Sequence, residues 1–151
     1  MLDIALHYDP VLRRADMAFN GRDFALDSTP ATRLILSMGC ERRARDDDDL
    51  PSATVNPAQP ASLTEKRGWW GDSLNPAGRL TGSRMWLLQR QKQTEAVRRA
   101  AEGYLAEACD SISTDLGLSV EIVVRWLRPG FLGYRVRVGT TELALQMALS
   151  A

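Results

Sequence analysis

The stretch "SVEIVVRWLRPGFLGYRVRV", residues 119–138, decides the fold. Apolar residues recur at every second position on both sides of Pro129-Gly130. Because successive side chains of a strand point to opposite faces, this pattern predicts an antiparallel hairpin with one apolar face. The next run, "TELALQMAL" at residues 141–149, fits either a third strand or a short helix.

A long helix is predicted immediately before this hairpin. Thr94 is a suitable N-cap residue, and Gly117 is suited to end the helix. Between them, apolar residues recur at steps of three and four and form one stripe: Val97, Ala101, Tyr104, Leu105, Ala108, Cys109 and Ile112. Such a stripe packs on a sheet or on another helix. Residues 84–92 could belong to this helix or form a separate short one.

A second hairpin is predicted near the N-terminus, where two short alternating runs flank Asn20-Gly21. This dipeptide favours the positive backbone angles of a two-residue hairpin turn. We therefore expect four apolar side chains to share the buried side of this hairpin: Met17, Phe19, Phe24 and Leu26.

A short helix is predicted after this hairpin. Ser28 or Thr29 can cap it, Pro30 fits its first turn, and Gly39 ends it. Its apolar face is formed by Leu34, Ile35 and Met38.

Residues 42–66 are predicted to form an exposed loop. The segment has four consecutive aspartates, three prolines and almost no large apolar residue. It cannot bury enough surface to offset the entropy of ordering it. A calcium loop needs spaced oxygen ligands and a turn glycine, which this run lacks, so the aspartates indicate a solvated charge run.

The order strands, helix, loop, helix, strands predicts an α+β class. We expect a single domain over residues 1–151, with a small antiparallel sheet formed by the N- and C-terminal hairpins and packed with two to three helices. With 19 basic and 19 acidic residues the net charge is zero, which argues against direct nucleic-acid binding. No apolar run approaches the length of a membrane helix. Cys40 and Cys109 have no metal-ligand spacing and are expected to be reduced, as in a cytoplasm.

The segment "RGWWGD", residues 67–72, raises the main functional question. Adjacent side chains diverge on a helix and on a strand, so Trp69 and Trp70 cannot both fill one amphipathic face. Three interpretations compete: a stacking platform for a sugar or base, a plug for a partner's pocket, and a lid on the protein's own core. Trp86 and Trp126 are more typical of core and sheet packing.

The sequence contains few residues that suggest catalysis. His7 is the single histidine, and no nucleophile elbow, phosphate loop, dinucleotide fingerprint or zinc spacing is present. We expect no catalytic residues, cofactor or metal. One enzyme hypothesis survives, a carbohydrate-acting, lysozyme-like hydrolase that stacks a sugar on Trp69 or Trp70. Its carboxylates would be Asp72 with Glu65 or Glu95.

The segment "RGWWGD", followed by "GSRMWLLQRQK" at residues 82–92 and by Thr94-Glu95 at the start of the long helix, resembles a family of phage baseplate proteins. This is the family of Mu-like contractile-tailed bacteriophages known as phage protein forty-six. Other landmarks agree in order: "DIAL" at residues 3–6, a hairpin, a helix ending in "ERRA" at residues 41–44, and "DLP" at residues 49–51. The resemblance covers about residues 3–138.

The resemblance implies a non-enzymatic structural protein, similar to the sheath-initiating wedge proteins of contractile tails. It implies several copies in a virion tail baseplate, assembled in the host cytoplasm. The implied partners are wedge and hub proteins and the tail sheath, without nucleic acid or membrane. A general adaptor of a non-phage assembly is a third possibility. The expected partner-binding residues are Arg67, Trp69, Trp70, Asp72, Arg84, Arg125, Arg135 and Arg137.

Overall fold

The computed structural model describes residues 3–51 and 64–149. Within them lie two α-helices, α1 (Ala31–Gly39) and α2 (Glu95–Leu116), and two 3₁₀ helices, Trp70–Leu74 and Arg84–Leu88. The strands are β1 (Asp3–Ile4), β2 (Leu6–Asp9), β3 (Arg14–Met17), β4 (Leu26–Asp27), β5 (Val120–Arg128), β6 (Phe131–Val138) and β7 (Thr141–Ala148). The predicted α+β class is confirmed.

The C-terminal sheet has the order β5-β6-β7 and is antiparallel throughout. The predicted hairpin is therefore confirmed, and the ambiguous run at residues 141–149 is mostly a strand. Register places alternate residues of all three strands on one apolar face, which includes the buried Val124, Leu132 and Val136. The opposite face carries charged residues.

Helix α2 covers the apolar face of this sheet. Its cap is as predicted, since Thr94 Oγ1 accepts a hydrogen bond from Val97 N at 3.2 Å and Gly117 has the left-handed φ of 63°. Six residues of the predicted stripe are buried, and Tyr104 is half-buried. Residues 84–88 form a separate 3₁₀ helix, which settles the question left by the sequence.

The core joins α1, α2 and the C-terminal sheet. Leu34 and Met38 of α1 meet Leu105 and Ile112 of α2 in one buried cluster, as the helical patterns predict. Cys109 lies in the same cluster, and burial raises the pKa of its thiol to about 11. Both cysteines are free thiols.

Three alanines join the N-terminal strands. Ala5 N donates to Ala25 O, Ala25 N donates to Ala18 O, and Ala18 N donates to Ala5 O, each at 2.8 Å. Three short two-stranded arms leave this ring: β1 with β4, β2 with β3, and a Phe19–Phe24 bridge. The predicted hairpin is the third and shortest of these arms.

The turn of that arm lies one residue later than predicted. Asn20 N donates to Asp23 O at 3.0 Å, so the two loop residues are Gly21, at φ 93°, and Arg22. The Asn20 side chain accepts hydrogen bonds from the Arg22 and Asp23 amides. These two hydrogen bonds close the turn around Gly21 and Arg22.

The expected buried side of the hairpin is wrong. Phe19 and Phe24 stack with ring centroids 4.6 Å apart, whereas Met17 pairs with Leu6 and Leu26 pairs with Ile4 in the other two arms. However, Met17, Phe19 and Leu26 are 48% to 67% exposed. Alternation predicts which side chains share a face, but it does not predict whether another element covers that face.

The entry to α1 is held by an acidic residue that the sequence analysis did not choose. Asp27 accepts hydrogen bonds from the amides of Thr29 at 2.8 Å and Thr32 at 2.9 Å. Thr29 Oγ1 accepts from Ala31 N, so its predicted capping role is partly confirmed, with Pro30 as the cap residue itself. The helix ends at Gly39 as the pattern predicts, and not at residues 41–44 as the resemblance suggested.

The acidic segment is only partly an exposed loop. Residues 52–63 lie outside the described residues, but Ala44 is buried and the Asp48 side chain is 10% exposed. The expected solvated charge run is therefore wrong at Asp48, because this carboxylate pairs with a distant arginine.

We predict that Asp27→Asn lowers the free energy of unfolding by about 1 kcal/mol at pH 7, the usual value of a lost cap after allowance for solvent screening. Desolvation raises the pKa of Asp27, but hydrogen bonds from Thr29 and Thr32 outweigh it and lower the pKa to about 2. A lowered pKa stabilises the fold above the unfolded value of 3.8.

The difference between Asp27→Asn and the unchanged protein should therefore shrink as pH falls from about 4 to about 2. Urea unfolding at several pH values measures it. Asp23→Asn, in the neighbouring turn, is the control and should change little. A difference that stayed constant down to pH 2 would contradict the role of the Asp27 carboxylate.

Candidate protein-interaction surface

Arg67 begins the tryptophan segment in a left-handed backbone conformation, with φ at 50°. Its guanidinium lies 4.5 Å from the centroid of the Trp86 ring and pairs with the carboxylate of Glu41. Gly68 follows at φ 115°, and a Cβ there would lie 3.1 Å from Arg43 Cβ. This close approach presses the segment against residues 41–43.

Trp69 and Trp70 have different environments. Trp69 is half-buried, and its ring covers Gly71 so closely that a Cβ on Gly71 would lie 2.3 Å from it. Trp70 is 75% exposed, with its ring centroid 5.7 Å from that of Trp69. Leu74, at the end of the same 3₁₀ helix, is also exposed. One indole therefore anchors the segment while the other faces solvent.

Asp72 connects this segment to the next one. Its Oδ1 accepts a hydrogen bond from Thr81 N at 2.9 Å. Its Oδ2 is buried and has no hydrogen-bond partner within the described part of the chain. Asp72 thus fixes the loop that follows the 3₁₀ helix Trp70–Leu74.

Arg84 is almost fully enclosed and is only 8% exposed. Its Nη1 donates to both carboxylate oxygens of Asp48, at 2.7 and 2.8 Å, and its Nε donates to Glu107 Oε2 at 2.9 Å. The guanidinium also lies 4.6 Å from the Tyr104 ring centroid. Arg45 Nη2 donates to the other oxygen of Glu107 at 2.6 Å. We call these five residues the Arg84 cluster.

Electrostatics keep the Arg84 cluster charged. Burial lowers the pKa of the Arg84 guanidinium, but hydrogen bonds to Asp48 and Glu107 outweigh this and raise it above its usual value. Burial raises the pKa of Glu107, but the hydrogen bond from Arg84 and the nearby Arg42 outweigh this and lower it. Each charge is thus stabilised by its partner.

The other three expected partner-binding residues lie on the exposed face of the C-terminal sheet. Arg137 Nε donates to Glu142 Oε2 at 3.2 Å, and Arg137 Nη1 lies 3.5 Å from Glu121. Arg135 lies 3.8 Å from Glu142, and Arg125 is exposed on the same face. These pairs are solvent-exposed, so each contributes little to stability.

The expected residues thus form two groups, one around Trp70 and one on the sheet. Across residues 3–51 and 64–149, no hydrogen bond, ion pair or ring contact links the two groups. No sequence pattern identified the residues that hold Arg84, which are Asp48, Tyr104 and Glu107. The helical stripe already placed Tyr104 near the core, but no local pattern pairs Asp48 with Arg84.

The described residues offer neither a metal-binding group nor a membrane-spanning helix. They contain no group of three or more His, Cys, Asp or Glu side chains placed to bind a metal ion. No helix among them combines the length and apolar character that crossing a membrane requires.

The family model of phage protein GP46 matches residues 30–147. The chain belongs to the GP46 family. The matched range includes both groups of expected partner-binding residues and excludes all three N-terminal arms. The resemblance stated from the "RGWWGD" and "GSRMWLLQRQK" segments is therefore confirmed.

Two curated relatives share this GP46 assignment. Baseplate protein gp46 of Escherichia phage Mu is 38% identical over 101 residues, which cover 67% of this chain and 62% of the relative. Mu-like prophage FluMu protein gp46 of Haemophilus influenzae is 32% identical over 89 residues, 58% of this chain and 65% of the relative. Each match thus spans less than two thirds of the relative's length. No solved structure matches the chain.

We predict that Arg84→Met lowers the free energy of unfolding by about 3 kcal/mol, because it leaves the Asp48 carboxylate near the interior without its arginine partner and removes one of the arginines that hold Glu107. Chemical denaturation measures this loss. Arg99→Met is the control, since the Arg99 side chain is 74% exposed, and it should cost less than about 0.5 kcal/mol. Equal costs for both variants would contradict a structural role of the Arg84 cluster.

We predict that Gly71→Ala displaces the Trp69 ring, because the new Cβ would overlap it. The exciton signal of the Trp69–Trp70 pair in circular dichroism should weaken, while the protein stays folded. Gly103→Ala is the matched control: no atom lies within 4 Å of its new Cβ, and alanine in this helix should stabilise by about 1 kcal/mol. An unchanged exciton signal in Gly71→Ala would contradict the Trp69 anchor.

Proposed function

We propose that this chain is a structural, non-enzymatic component of the baseplate of a contractile phage or prophage tail. In this proposal it joins wedge and hub proteins to the first ring of sheath subunits, in several copies around the tail. It assembles in the host cytoplasm and becomes part of the virion tail. Membership of the GP46 family and the baseplate name of the Mu relative support this role.

The exposed Trp70 is the observation that carries the proposal. A tryptophan that is 75% exposed next to an anchored tryptophan is a costly arrangement for an isolated chain, and tryptophan is enriched at interface hot spots. Because Trp69, Gly71 and Asp72 fix the backbone on both sides of it, Trp70 stands on a rigid segment. A rigid anchor loses little entropy on binding.

In this proposal the residues around Trp70 have two roles, partner contact and structural support. Arg67 and Asp72 lie within a few residues of Trp70 in sequence and are partly accessible, so we assign them to the rim of the interface. Arg84 is enclosed by the Arg84 cluster, and we assign it the support of this surface. Its contribution to partner binding is then indirect.

The C-terminal sheet offers a second way to bind. Its order leaves β5 and β7 as edge strands, and an edge strand has unpaired backbone groups that can pair with an added strand. The hairpin at residues 119–138 contains β5 as one such edge, and we assign it as a candidate joint to a partner. Arg125, Arg135 and Arg137 on the exposed face keep the sheet soluble and provide polar contacts for a partner.

The carbohydrate-acting hydrolase receives less support. Neither Trp69 nor Trp70 lines any of four cavities of the described residues. One cavity does hold two carboxylates, Glu107 and Asp110. A general acid needs a raised pKa, however, whereas the pKa of Glu107 is lowered by its arginine partners.

We predict that Trp70→Ala folds normally but fails to assemble. The variant, mixed with the purified neighbouring baseplate proteins and the sheath protein, should give unsheathed or absent particles by electron microscopy. Binding to the partner should weaken by about 2 kcal/mol or more, as at an interface hot spot.

Leu116→Ala is the control, since Leu116 is a partly exposed apolar residue at the C-terminus of α2. It should assemble like the unchanged protein. Normal sheathed particles with Trp70→Ala would contradict the proposal. Normal particles that lack only a hydrolase activity would instead favour the enzyme.

A further inference from the structure

The outward-facing residues of the C-terminal sheet form rows that cross its three strands. Register aligns nine of them in three rows: Glu121, Arg137 and Glu142; Val123, Arg135 and Ala144; and Arg125, Gly133 and Gln146. The first row is an ion-paired ladder, because Arg137 contacts both glutamates. The other two rows contain two arginines and no carboxylate. Positive charge is therefore in excess on the part of the face beyond the ladder.

Neither arginine of these two rows has a carboxylate of its own. Arg135 lies 3.8 Å from Glu142, which already accepts a hydrogen bond from Arg137 at 3.2 Å. Within residues 3–51 and 64–149, the Arg125 guanidinium makes no hydrogen bond, ion pair or ring contact. Arg125 and Arg135 occupy diagonal positions on neighbouring strands, which lie about 7 Å apart, within reach of long side chains. Their guanidinium groups can therefore bind one anion together.

Both arginines line a cavity of about 240 Å³ on this face. Gly133 and Ala144, which also line it, leave room because their side chains are absent or small. Leu127 is the unpaired residue of a β-bulge, and it leans over Gly133, where a Cβ would lie 2.6 Å from Leu127 Cγ. The cavity thus has an aliphatic wall beside two guanidinium groups.

A second cavity, of about 230 Å³, adjoins the first on the side of the β2–β3 hairpin. The two share Leu127, Ala144 and Leu145. Arg13 lines the second cavity, and its Nη2 donates to Gln146 O at 2.9 Å. Among the described residues that line either cavity, there is no aspartate or glutamate. We call Arg13, Arg125 and Arg135, with the two cavities that they line, the arginine face.

We propose that the arginine face binds an acidic segment of a protein partner. Side-chain carboxylates of this segment pair with Arg125 and Arg135, and a neighbouring aliphatic side chain contacts Leu127. Arg13 provides a third cationic contact beside the second cavity. The contact is made by side chains across the outer face, so no strand is added to either edge of the sheet. Identification of the partner as a tail protein rests on the proposed function.

The surroundings of these arginines favour carboxylates over the phosphates of a nucleic acid. A guanidinium group binds both anions in the same bidentate geometry. However, duplex DNA carries a charge about every 1.7 Å and requires an extended cationic surface. Glu121 and Glu142 lie at one end of this face, and the net charge of the chain is zero. The aliphatic wall formed by Leu127 also suits a protein side chain.

An acidic peptide that contains proline tests the proposal without pairing as a strand, because proline has no N–H group. The peptide is EPLEPLE with acetylated and amidated ends, and its neutral counterpart is QPLQPLQ. In amide NMR spectra the acidic peptide should shift Gly133 and Ala144, and its affinity should fall as salt rises. The neutral peptide should bind much more weakly. Equal affinity for the two peptides would overturn the proposal.

Ala144→Glu is the blocking variant. Ala144 is exposed and is the register partner of Arg135, so the new carboxylate supplies a counter-charge from within the chain. The acidic peptide should bind about tenfold more weakly to it. Ala144→Gln has nearly the same size without the charge and should retain more of the affinity. Ala148→Glu, on the same strand opposite Phe131, is the control and should bind like the unchanged protein.

Arg125→Gln should weaken binding of the acidic peptide about fivefold, the upper value for an exposed ion pair. Arg99→Gln is its control, since Arg99 is exposed on α2. Both substitutions are at exposed positions, so the spectrum of the core should not change. Equal affinity of Arg125→Gln and Arg99→Gln, or equal losses in Ala144→Glu and Ala144→Gln, would contradict charge recognition by this face.

A short DNA duplex is the competing ligand. It should bind less tightly than the acidic peptide under the same salt conditions. If the duplex binds more tightly and Ala144→Glu removes that binding, the face recognises phosphates and the proposed protein partner is wrong.

The same variants separate this inference from the proposed function. If Ala144→Glu assembles into normal tails while Trp70→Ala does not, the baseplate role stands and the arginine face is not a partner site. If the peptide results hold but tails assemble normally with Trp70→Ala, the arginine face stands and the role assigned to Trp70 is wrong.

Discussion

The rest of the structure depends on one buried charge, the guanidinium of Arg84. A cation that is 8% exposed must have partners, and Asp48 and Glu107 come from two distant parts of the chain to provide them. Glu107 belongs to α2, the helix on which the core is built, whereas Asp48 belongs to a segment with almost no large apolar residue. Ionic pairing therefore helps to attach a chain segment in which hydrophobic burial is limited to Ala44 and Leu50.

Short contacts connect the Arg84 cluster to the segment that holds Trp69 and Trp70. Trp86 lies two residues from Arg84, and its Nε1 donates to Arg42 O at 2.9 Å. Arg67 then stacks on the Trp86 ring, and the backbone at Gly68 packs on Arg43. The exposed Trp70 is thus positioned by residues buried beneath it. A surface residue that must be presented rigidly needs support of this kind, because a flexible loop would lose more entropy on binding.

The sequence predicted the parts of the fold that local periodicity determines. Helix α2 with Thr94 and Gly117, and the β5–β6 hairpin, follow from spacing and capping alone, because their partners are near in sequence. Asp48 was assigned to solvent because its partner is 36 positions away. The face of Phe19 was assigned to the core because alternation is the same on a covered and an uncovered face. The division between Trp69 and Trp70 depends on Gly71, whose close contact no pattern reveals.

At each edge of the C-terminal sheet an arginine side chain contacts a backbone carbonyl, but the two arginines are held in different ways. At the β5 edge, Arg98 Nη1 lies 3.4 Å from Val124 O, and Glu95 and Glu102 also hold its guanidinium on α2. At the β7 edge, Arg13 stands on an exposed turn and no carboxylate pairs with it among the described residues. Releasing Arg98 would disturb a helix that the core requires, whereas releasing Arg13 would move only a turn. Of the two edges, β7 is therefore the less firmly covered.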